Sequence, residues 1–209
     1  MAAQVFPLDD RGSFAWLADP AEPIERASAA IAIDGGSIVV DPVDFPGLDE
    51  ALVPLAPTGV VTLLDRHRRD AEALSARLGV PRLLPLALGG QGLRLRGVEE
   101  RTVVAGRWWK EVLLWLPDRR LLVCAETLGT GRFFLVRDGD RLGLHPLARL
   151  LSLRGAFADL EPAAVAVGHG APLLGEAGPE LRSLLARARR DLPRAWARAA
   201  RLALRAGAG

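Results

Sequence analysis

The chain has 209 residues, half of them hydrophobic, and a formal net charge of only +2. That length suits one domain burying roughly 70% of its unfolded surface, which excludes disorder away from residues 205–209 and makes no case for nucleic acid. No apolar run reaches the roughly 18 residues of a membrane span, residues 1–20 lack the order of a signal peptide, and the lone Cys124 excludes an intrachain disulfide, as suits a reducing cytoplasm.

Strands and turns are expected first. "SFAWLA" (13–18) and "AAIAIDGGSIVVDP" (29–42) are rich in apolar and β-branched residues, with Gly35 and Gly36 forming a hairpin turn. "FPGLDEALVPL" (45–55) reads as a short helix with Pro46 near its start. The strand "GVVTLL" follows, then a helix over roughly 67–78 with Ala71, Leu74 and Leu78 facing the core and Gly79 and Pro81 ending it. "RLLPLAL", "GLRLRG", "RTVVAG", "EVLLWLP" and "RLLVCAE" read as strands separated by Gly, Pro and charged turns, "PDRR" being a tight connection. "RFFLVRDGDRLGL" adds a strand and turn, "PLARLLSLR" (146–154) a helix, and "PAAVAV" (162–167) a last buried strand. Residues 179–207 close the chain as two helices divided at Pro193. Two strand-rich halves with helices outside predict a four-layer α/β sandwich.

The order of "IVVDP" with Asp41, "LLDRHRRDA", "LLVCAETLG" with Glu126 and "VAVGHGAPL" with His169 resembles the metallo-β-lactamase superfamily. The resemblance covers most of residues 13–185. It implies an αββα sandwich over a single domain, residues 1–209, with the helical pair packed on it. It also implies a hydrolase site built around His-x-His-x-Asp-His at a helix start. Aligning Asp70 with the motif's Asp puts Arg66, Arg68 and Ala71 on three histidine positions and His67 on a spacer. No histidine lies between His67 and His145; "AGRWWKE" occupies the place of the usual mid-chain ligand. Arginine stays protonated and cannot ligate. A unit-charge pair at about 4 Å costs on the order of 4 kcal/mol at an effective dielectric of 20.

The expectation is therefore a pseudoenzyme-like pocket lined by Arg66, Arg68, Asp70, Glu126 and His169, without a cofactor, that binds a small anionic molecule or does nothing chemical. Arg66 or Arg68 is expected to pair with Asp70 or Glu126 where a cation would sit. One alternative is a hydrolase using acid–base chemistry alone or a single zinc, iron or manganese ion on Asp70, Glu126 and His169. Another uses the basic stripe Arg194, Arg198, Arg201 and Arg205 on nucleic acid or an acidic partner, although the stripe lacks interleaved aromatics. The simpler reading of that stripe is a solvated helix face. The simpler readings elsewhere make Arg66, Arg68 and Arg69 a solvated face, His67 exposed, His145 a helix-start residue, Lys110 and Glu111 surface charges, and Cys124 a buried thiol. Packing is expected for both Trp108 and Trp109. A dimer is left open.

Overall fold

Side-chain alternation sorts the first half of the chain into a sheet with two apolar faces. In this computed structural model, which describes residues 2–206 and side chains through Leu202, six strands form one sheet in the order β1 to β6. They are β1 (Gln4–Pro7), β2 (Phe14–Leu17), β3 (Ala27–Ile33), β4 (Gly36–Val40), β5 (Pro57–Val61) and β6 (Arg82–Leu83). The first four are antiparallel neighbours and the last two join in parallel. The β3–β4 hairpin closes through Asp34 and Gly35, and Gly35 takes a φ of 85° that disfavours a side chain.

Ala30, Val39 and Val60 point outward onto α1 (Leu48–Leu52) and α2 (Ala71–Leu78), which contribute Leu48, Leu52, Ala71 and Leu74 to a small outer core. Their neighbours Ala29, Ile31, Ile38, Val40 and Val61 point inward to the main core. A period of two thus builds both faces of one layer.

The second half gives β7 (Glu99–Ala105), β8 (Lys110–Leu116), β9 (Leu121–Cys124), the short ribbon β10 (Leu128–Gly129) with β11 (Gly143–Leu144), then β12 (Ala164–Val167) and β13 (Leu173–Leu174). The larger sheet runs β13-β12-β9-β8-β7, with β12 parallel to β9. Its outer face is covered by α3 (Arg154–Phe157) and α4 (Gly178–Arg187) through Phe157, Leu181 and Leu184; α5 (Leu192–Ala206) follows and buries Ala195. The order helix, sheet, sheet, helix is the four-layer sandwich expected.

Several local expectations are corrected. The helix after β5 begins at Ala71 rather than near 67, because Arg69 sits at φ 38°, outside helical space. "GLRLRG" forms no strand, and of "RFFLVRDGDRLGL" only Gly143 and Leu144 pair. "PLARLLSLR" is not one helix but a short turn, Ala148–Leu150, followed by α3. The terminal helices divide at 188–191, and Pro193 lies in the first turn of α5, where its missing N–H costs nothing. The Arg205 side chain and residues 207–209 of the expected disordered end lie outside the described residues.

Candidate functional site

The strand ends of the two sheets meet along one edge. Beyond β5 the chain pairs briefly with β8: Val112 N–H donates to Leu63 O at 2.9 Å and Asp65 N–H to Lys110 O at 3.1 Å. Here the loop 65–70 is caught between Asp41, just past β4, and the Gly168-His169-Gly170 turn past β12.

Arg69 occupies the middle. Its Nη1 donates to Ala27 O at 2.5 Å and Asp41 O at 2.8 Å, and its Nη2 to Gly168 O at 2.9 Å. The first two carbonyls belong to the first sheet's side of the cleft and the third to the second sheet's. One guanidinium therefore bridges the two halves of the sandwich. Burial pulls its pKa down, partly offset by the Asp41 carboxylate. Arg69 and Asp41 (φ 44°) both adopt left-handed backbone conformations, and such strain persists only where surrounding contacts enforce it.

His67, expected at the surface, is only 7% exposed. Its Nδ1–H donates to Asp41 Oδ2 at 3.0 Å, while Asp41 Oδ1 accepts Leu63 N–H at 3.0 Å. An imidazole held by a carboxylate has the form of a general base. Its lone pair, however, lies on Nε2, which faces Arg69 Nη2 at 3.5 Å. That cation competes for the lone pair a base would use.

The other expected residues separate. Arg66 Nη2 donates to Glu126 Oε2 at 2.8 Å, one of the four guanidinium–carboxylate pairings expected, and its guanidinium carbon lies 5.1 Å from the centre of the Trp109 ring. Burial raises the Glu126 pKa, but Arg66, His145 and His67 outweigh it and hold the carboxyl below its ordinary range. Asp70 precedes α2, and its Oδ2 accepts Asp44 N–H at 2.8 Å. Arg68 is exposed and lines a separate depression of about 380 Å³ with Thr62, Asp65, Arg69, Glu72 and Arg82.

His169 donates Nδ1–H to Ile24 O at 2.8 Å, leaving Nε2 as the acceptor. Burial lowers its pKa to about 4, against the Ile24 hydrogen bond, with Arg69 and His67 adding to the fall. The flanking glycines have steric reasons. A side chain on Gly168 would strike Ala125 O, and one on Gly170, at φ 95°, would strike Gly131 N and Thr130 Oγ1.

Glu111 is the largest departure among the surface expectations. It is 0% exposed and accepts hydrogen bonds from Trp109 Nε1, Cys124 Sγ, Glu126 N, Thr127 N and Thr127 Oγ1, at 2.8 to 3.2 Å. The buried carboxylate fixes the strand end from which Glu126 projects. Cys124 is buried as expected, and burial raises its thiol pKa, reinforced by Glu111. Trp109 packs, but Trp108 does not: it is 77% exposed, with the Arg107 guanidinium carbon 4.8 Å from its ring centre. His145 accepts Leu147 N–H at 3.2 Å on Nδ1 and packs beside Trp109 and Phe133, with Nε2 3.7 Å from Glu126 Oε1. Burial lowers its pKa, opposed by Glu126.

No protein-family model matches the sequence, and no curated protein matches it. Solved structures do match in shape. A metallo-β-lactamase from Hirschia baltica is similar at a TM-score of 0.57 with 12% identity, over 90% of this chain and 96% of that one. One from Erythrobacter litoralis in a mono-zinc form gives 0.56 and 12%, over 92% and 96%. One from Pontibacter korlensis gives 0.54 and 13%, over 91% and 99%. The chain has the metallo-β-lactamase fold; identities this low carry architecture and no chemistry.

The donors at this edge do not fit the metal that the fold implies. Zinc takes neutral imidazole nitrogen, thiolate sulfur or carboxylate oxygen. Among the described residues no group of three or more His, Cys, Asp and Glu is placed to hold an ion. The lone pairs of His67 and His145 face Arg69 and Leu147 N–H, both Asp41 oxygens are engaged, and Arg66 holds Glu126. His169 alone retains an imidazole lone pair without a described partner.

Proposed function

We propose that this chain is a metal-independent protein on the metallo-β-lactamase fold, in which arginine replaces the ions that would join the two half-sandwiches. It acts as a non-hydrolytic binder of a small anionic molecule at the cleft edge. One observation carries the reading: the Arg69 guanidinium bonds three carbonyls from both sides of the cleft. A divalent ion beside that fixed charge would be repelled by several kcal/mol, on the order of 4 for each unit-charge pair at contact. Binding of an anion is supported by the depression that adjoins the cleft at Arg69, where Arg68, Arg69 and Arg82 outnumber Asp65 and Glu72, the latter 3.7 Å from Arg82.

The test is elemental analysis of protein purified without chelator, followed by zinc titration of the wild type and of Arg69→Ala. Well below one equivalent of zinc, iron or manganese is expected in the wild type, and added zinc should produce no hydrolysis of β-lactam or ester substrates. Stoichiometric, tightly held metal in the wild type would overturn the proposal.

A further inference from the structure

A second cluster of arginines lies between the 149–154 segment and the end of α4. Arg149, in the short turn Ala148–Leu150, is 1% exposed. Its Nη2 reaches Phe134 O at a long 3.4 Å. Its Nε and Nη1, which carry three of the five guanidinium N–H groups, have no acceptor among the described residues. Buried donors are nearly always paired, so an orphaned guanidinium edge calls for a partner.

The nearby carboxylates are already taken. Asp191 accepts from Arg137, Arg187 and Arg194, and Asp140 pairs with Arg187 at 2.8 Å. Arg149 instead lines a cavity of about 300 Å³ with Ser152, Arg154 and Arg189, between the 149–154 segment and the end of α4. No acidic residue lines it. Arg154 and Arg189 are exposed, and neither has an ion pair among the described residues. Leu151, Leu153, Leu185, Ala186 and Ala188 supply the apolar wall. Burial also lowers the Arg149 pKa, so the site gains from an anion that stabilises its charge.

We infer that this cavity is a binding site for a small phosphate monoester, with Arg154, Arg189 and the Ser152 hydroxyl around the phosphate, the Arg149 charge buried beneath the floor, and the leucines against the organic part. Three positive charges around a cavity that no described carboxylate lines match a dianion better than a single carboxylate. Arginine suits phosphate because its fork can give parallel charge-assisted hydrogen bonds. The cavity volume suits a small metabolite and not a polymer.

Thermal unfolding and calorimetric titration of the full chain with inorganic phosphate and with phenyl phosphate test this, using chloride at matched ionic strength as control. The wild type should show saturable binding of both probes, with phenyl phosphate tighter through the apolar wall. Arg149→Met should weaken the tighter binding of phenyl phosphate while leaving the phosphate-free melting temperature equal or higher, since it removes an unpaired buried charge. Arg154→Ala with Arg189→Ala, both at exposed positions, should weaken binding about tenfold or more. Arg66→Ala, in the cleft, should leave it unchanged. Three results each overturn the inference: no saturable binding at millimolar probe, an equal response to chloride, or equal binding by wild type and the double variant. If Arg149→Met fails to fold, the double variant decides alone.

Discussion

Two arginines three residues apart do different work at the cleft. The Arg66 side chain is half exposed and pairs with Glu126 at the rim, where ion pairs contribute about 0–1 kcal/mol. Arg69 is half-buried and bonds three carbonyls of buried residues. Arg66→Ala should therefore shift the urea midpoint by no more than about 1 kcal/mol in stability, while Arg69→Leu should cost about 3–5 kcal/mol. Equal losses for the two would contradict the bridging role. Cys124 gives a second residue-scale expectation. Its thiol is buried, bonded to Glu111 and raised in pKa. A thiol reagent should therefore react with the native protein only at the rate of opening, and immediately in denaturant.

Among the elements, the two kinds of glycine separate geometry from space. Gly79 ends α2 at φ 66° with nothing near a would-be side chain, so Gly79→Ala should cost about 1 kcal/mol through backbone strain alone. Gly170 combines φ 95° with backbone atoms where Cβ would sit. Gly170→Ala must displace the turn holding His169, and a loss of about 2–4 kcal/mol is expected. Thermal denaturation of the pair distinguishes them. A similar loss at both positions would mean that the turn is looser than described. The late start of α2 belongs to the same scale, because Arg69 can reach three carbonyls only from a non-helical backbone.

For the whole molecule, the imidazoles set a pH dependence. The His169 pKa is lowered by burial from 6.5 to about 4. Between those values the unfolded chain binds a proton that the folded chain refuses, so stability rises with pH there. This contribution is fully present above about 6.5 and is lost as pH falls toward 4, by on the order of 3 kcal/mol. His145 is shifted in the same direction. Denaturation midpoints should fall steadily from pH 7 to 4, and His169→Gln should flatten much of that slope. An unchanged slope in the variant would show that His169 is solvated.

The sequence by itself determined the layers and pointed to the strand ends that gather along one edge. Alternating apolar residues at 29–31, 38–40 and 60–61 sort to opposite faces of a strand whatever lies around them. The order of Asp41, the arginine-rich loop, Glu126 and Gly-His-Gly survives because each ends a strand at the same edge. Side-chain assignments within the loop were only partly legible. An arginine–carboxylate pair was legible as one of four combinations of Arg66 or Arg68 with Asp70 or Glu126, but His67 fell on a spacer of the aligned motif and Arg69 read as part of a solvated face. Only the tertiary structure decided them: a left-handed turn at Arg69 reverses which side chains face inward, and the acceptors it needs come from Ala27, Asp41 and Gly168. Glu111 was hidden for the same reason. A carboxylate on a strand looks solvated until the fold brings donors from residues 109 and 124–127 around it, and burial depends on partners distant in the chain.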